Sequence, residues 1–104
     1  MAFNGTEGAP IALETAAQWT ANYRSTITPT DTRAHFFGRD IIEKILQQNG
    51  NMGIRIYYAL SNTGEKQLIL VGADANENDQ TDGTIADFSD PCPNRCSAAN
   101  PLNS

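Results

Sequence analysis

The residue types best suited to chemistry lie toward the end of the chain. Cys92 and Cys96 bracket Pro93-Asn94-Arg95. A Cys-x3-Cys spacing supports a local disulfide, which would add little through chain entropy in so short a loop and needs an oxidising compartment. The same segment also reads as a proline-shaped turn whose sulfur side chains pack against a sheet, since free cysteine is commonly buried. Nucleophilic catalysis by a thiolate needs a base, and His35 is the only histidine. The other chemically suggestive stretch is the acidic, amide-rich segment from Asp74 to Gly83. Aligned on a calcium loop with Gly83 sixth, it places Asn78, Gln80 and Asp82 at the first, third and fifth positions, but the twelfth is Ser89 and not Glu. An ordinary solvated loop is the expectation. Carboxylate pairs for acid and base work cannot be picked out, no glycine-rich phosphate loop follows a strand, and with no catalytic constellation neither an enzyme nor a cofactor is expected.

Over its five residues, Cys92-Pro93-Asn94-Arg95-Cys96 resembles the copper-binding motif of the Sco family of copper chaperones. The resemblance implies a metal held by the thiolates of Cys92 and Cys96, with His35 as third ligand if folding brings it there. In that family the motif joins a strand to a helix of a thioredoxin fold, whereas here Pro101 follows soon after. Structural zinc would lack a fourth ligand within one chain.

The element able to position anything else is Gly53 to Asp74, GIRIYYALSNTGEKQLILVGAD. Ile54, Ile56, Tyr58 and Leu60 alternate with Arg55, Tyr57 and Ala59, the period-two pattern of a strand with one apolar face. Ser61-Asn62-Thr63-Gly64 supplies turn formers, and a four-residue loop there predicts a hairpin pairing Leu60 with Glu65, Tyr58 with Gln67, Ile56 with Ile69 and Ile54 with Val71. The second strand, Gln67 to Val71, is apolar on both faces and predicts a central position in a sheet.

Two helical patterns precede the hairpin. Leu13, Ala16, Ala17, Thr20 and Tyr23 form one stripe of a helix over Leu13 to Arg24, with Trp19 and Tyr23 read as packing residues. Ile41, Ile42, Ile45 and Leu46 form the apolar face of a second over Arg39 to Asn49, stopped by Asn49-Gly50. Between them Arg33 to Gly38 reads as extended. Thr84 to Phe88 reads as a third strand beside the hairpin. The expected fold is α+β: two helices packed on a small antiparallel sheet built around the central β-hairpin. Residues 1–9 read as a flexible or docking arm, 10–90 as a single domain, and 91–104 as a Pro/Cys/Asn-rich tail.

A net charge of −5 with seven scattered basic residues argues against binding nucleic acid or an anionic membrane. No apolar run approaches a membrane span and the N-terminus lacks the pattern of a secretory signal, so a cytoplasmic location is expected. The segments IALETAAQWTANYR, FFGRDIIEKIL, GIRIYYAL with QLILVGAD, and DPCPNRC with PLNS resemble, in this order, a family of small uncharacterised bacterial proteins of about this length. The resemblance runs from Ile11 to Ser104 and implies that the cysteine tail belongs to the domain; it brings no catalytic residue. The leading expectation is therefore a non-catalytic protein interaction or self-assembly module, its contact surface a second sheet face carrying Tyr57, Leu68 and Leu70. A metal-binding or thiol redox protein using Cys92 and Cys96 is the alternative.

Overall fold

The computed structural model describes residues 2–103. Met1 and Ser104, the outermost residues of the expected arm and tail, lie outside the described residues. In chain order the elements are α1 (Leu13–Arg24), β1 (Ala34–Phe36), α2 (Arg39–Leu46), β2 (Asn51–Leu60), β3 (Lys66–Asp74), β4 (Ile85–Ala86) and β5 (Asp90–Cys92). The class is α+β, with two antiparallel sheets ordered β2-β3-β4 and β1-β5. The chain separates into two compact units, residues 2–7 with 37–89, and residues 8–36 with 90–103. Each carries one helix: α2 lies on the hairpin sheet, and α1 belongs to the other unit. Among the described residues no helix is long and apolar enough to cross a membrane.

The first unit is the hairpin and its cover. β2 and β3 pair as expected in kind, but the register is shifted by one residue: Leu60 faces Lys66, Tyr58 faces Leu68, Ile56 faces Leu70 and Ile54 faces Gly72. The turn explains the shift. The Gly64 N–H donates to the Ser61 carbonyl at 2.9 Å, and Gly64 adopts φ +86°, the left-handed conformation a glycine bulge requires. The Ser61 N–H then donates to the Glu65 carbonyl at 2.9 Å, so Ser61 and Glu65 form the last pair and the loop between them has three residues instead of four. A one-residue slip exchanges the faces of the second strand. Leu68 and Leu70 thus share a face with Ile54, Ile56 and Tyr58, while Tyr57 lies on the other face opposite Ile69.

β3 is central, as its two-sided apolarity predicts, with Leu70 and Val71 both buried. β4, the core of the expected third strand, pairs Ala86 with Leu70 and Ile85 with Val71. The core lies between sheet and α2, where Ile45 is fully buried against Leu70 and Ala86, flanked by Phe37, Ile41, Ile54 and Leu68. α2 ends at Leu46, earlier than its pattern suggests. Gln48 turns its side chain back to donate to the Ile45 carbonyl at 3.0 Å, and Gly50 at φ +77° reverses the chain into β2. On the other face Phe3 is tied down through its N–H to the Ala75 carbonyl at 3.0 Å, and the Arg55 guanidinium stacks over its ring.

The second unit combines α1, the β1–β5 ribbon and the C-terminal turns. In the stretch read as a tail, β5 pairs Cys92 with Ala34, Pro91 with His35 and Asp90 with Phe36. Pro91 is tolerated because a two-stranded ribbon has only edges. Beyond it, asparagine side chains replace regular structure. The Asn103 carboxamide accepts from the Asn100 N–H at 2.9 Å and donates to the Ser97 carbonyl at 3.0 Å, while Asn100 accepts from the Leu102 N–H at 2.8 Å. Arg24, in the last turn of α1, donates to the Leu102 carbonyl at 2.6 Å. α1 buries none of its residues.

Candidate functional site

Cys92 and Cys96 form a disulfide. Bonded to each other, the two sulfurs do not offer the thiolate pair that a soft metal needs. His35 is adjacent to Ala34, the cross-strand partner of Cys92, so the alternation of the ribbon sends the His35 and Cys92 side chains to opposite faces. Among the described residues no group of three His, Cys, Asp or Glu side chains could hold a metal ion. The ligand set Cys92, Cys96 and His35 is therefore not assembled. Cys92 is buried and Cys96 exposed, with Nη2 of Arg33 at 3.8 Å from the Cys96 sulfur.

Two carboxylates of the acidic loop, Asp74 and Asp79, are engaged within the protein. Asp74 accepts from the Asn76 and Asn78 N–H groups at 2.9 and 3.0 Å. Asp79 accepts from the Tyr57 hydroxyl and from the Arg55 guanidinium. The Tyr57 hydrogen bond, reinforced by Arg55, holds the Asp79 carboxyl below its usual value, and the same bond raises the Tyr57 phenol. Tyr57 thus anchors a loop.

The surface expected from Tyr57, Leu68 and Leu70 does not exist as one face. Leu70 is in the core and Leu68 packs against it, both on the α2 side, because the glycine bulge moved them there. The most exposed apolar residues of β2 and β3 lie instead on the turn-proximal half of β2, on that same side. An eight-residue helix spans about 12 Å and a ten-residue strand about 33 Å, so α2 leaves much of β2 uncovered. Ile56, Tyr58 and Leu60 are 54%, 92% and 71% exposed. β2 is also an edge of its sheet. Its one charged side chain, Arg55, is engaged by Asp79 on the opposite face, so it does not guard the edge.

The second unit contains a cleft of about 700 Å³. Trp19 and Tyr23 on α1, Phe36 on β1 and Leu102 form its apolar walls, and Arg33 and Arg95 line it as well. All four apolar residues are substantially exposed.

No protein-family model, curated protein or solved structure matches this chain. The geometry alone therefore ranks the candidate sites. Sequence reasoning located the cysteines but read Trp19 and Tyr23 as packing residues. A sign was present for Trp19, which lies beside a helix-1 stripe made largely of alanine and threonine, but not for Tyr23, which lies on the stripe itself.

Proposed function

We propose that this chain is a non-catalytic interaction module that associates through the turn-proximal half of β2, with a second copy of itself as partner. The observation that carries the reading is the exposure of Ile56, Tyr58 and Leu60 along an edge strand that α2 is too short to cover. An edge strand presents a row of backbone donors and acceptors, and antiparallel pairing of β2 with its own copy satisfies them under two-fold symmetry. The apolar residues would then form a continuous strip across the joined sheets. Sedimentation equilibrium tests this: a reversible dimer of the 11.3 kDa chain is expected, and a strict monomer at about 100 µM or above contradicts it.

A second reading, a thiol redox pair, is favoured by the position of Arg33 beside the exposed sulfur of Cys96, where an incoming thiol would attack. Rapid reduction by a dithiol followed by alkylation at Cys96 ahead of Cys92 is its expected signature. Resistance of the folded disulfide to reduction would remove it.

A further inference from the structure

We infer that the cleft of the second unit binds a small organic carboxylate carrying an aromatic or branched apolar body. Charge distribution is the first ground. Three of the five arginines, Arg24, Arg33 and Arg95, line the cleft in a chain whose net charge is −5, while only one of its twelve acidic residues, Asp90, does so. A local excess of cations in an acidic protein recruits anions.

The second ground is what these cations already do. Arg24 donates to the Leu102 carbonyl and has a further partner. Among the described residues, by contrast, Nε of Arg33 is buried without a hydrogen-bond partner, and its Nη2 meets only the weakly accepting Cys96 sulfur. Nε and Nη2 form the fork that grips a carboxylate bidentately, so a modest rotation toward the cleft would satisfy a donor that is otherwise unfulfilled. Arg95 is exposed and supplies a second guanidinium.

Shape and size supply the third ground. Trp19, Tyr23 and Phe36 present ring surface to the same space and can hold an apolar body by stacking and burial. A volume of about 700 Å³ falls within the roughly 300–1,000 Å³ of small-molecule sites. This argues for a small ligand in preference to a polymer surface.

Trp19, the only tryptophan, reports on the cleft directly. The experiment titrates the full chain with 3-phenylpropionate and, separately, with its neutral amide, reading Trp19 emission and checking heat of binding. The acid is expected to shift the emission saturably and to bind about tenfold more tightly than the amide, the equivalent of one charge-assisted hydrogen bond. Arg95→Gln, at an exposed position, should narrow that gap, and Arg33→Gln should narrow it further. Arg39→Gln, in the other unit, should leave it unchanged. Equal affinity for acid and amide, no saturable response up to about 10 mM, or heat of binding without any change at Trp19 would each overturn the proposal. The comparison of the two ligands on the unmodified chain stands even if an arginine variant fails to fold.

Discussion

Replacing Tyr58 with lysine isolates the proposed contact surface. Tyr58 is 92% exposed, so in the monomer the substitution removes little packing, and stability should move by no more than about 0.5 kcal/mol. In the dimer the effect is much larger. An aromatic side chain presents roughly 150 Å² or more, and burying half of it at about 25 cal/mol per Å² contributes about 2 kcal/mol. A two-fold interface uses the residue twice, giving about 4 kcal/mol, an upper bound near a thousandfold in the dissociation constant. Ordering losses at the interface reduce this, so at least tenfold weakening is expected. A lysine on the strand edge also opposes its own copy by charge. Sedimentation equilibrium of the wild type and Tyr58→Lys over a concentration series measures the difference. Tyr57→Phe, on the opposite face, serves as the control and should associate as the wild type does. Equal association constants for wild type and Tyr58→Lys would refute the assignment of the surface.

Three further outcomes follow from the same geometry. The Asp79 carboxyl is held low in the folded state, so its contribution to stability is present above its unfolded value of about 3.9 and is lost as pH falls through its depressed folded value; thermal melts between neutral and acid pH should show this acid limb, and Asp79→Asn should flatten it. Ile45→Ala removes the only fully buried large side chain of the described core and should destabilise the hairpin unit by about 2–5 kcal/mol in urea unfolding. Reducing the Cys92–Cys96 disulfide, which links residues only 4 apart in sequence, should lower stability by no more than about 2 kcal/mol, read as a shift in the Trp19 unfolding midpoint with and without reductant.

The elements legible in the sequence were those whose side-chain period is long and uninterrupted. Alternation from Ile54 to Leu60 fixed β2, and Ile41, Ile42, Ile45 and Leu46 identified α2 as the helix with a core-facing side. What alternation could not supply was the register, because four-residue and three-residue loops fit Ser61-Asn62-Thr63-Gly64-Glu65 equally well until Gly64 takes its positive φ. That single backbone choice moved Leu68 and Leu70 from an expected contact surface into the core. β5 was hidden for a different reason. Three residues containing Pro91 carry no period, and the strand exists through its pairing with residues 34–36, more than fifty positions earlier. The order of the C-terminal segment was likewise unreadable from hydrophobicity, since asparagine carboxamides hold it in place of apolar contacts.

The most direct test of association through β2 is amide hydrogen exchange as the protein is diluted. Half of the β2 amides point away from β3, toward the open edge of the sheet. These amides, from Ile54 to Leu60, are expected to be protected at high concentration and to lose protection on dilution, while those of β3 stay protected throughout. Protection along β2 that does not depend on concentration would contradict it.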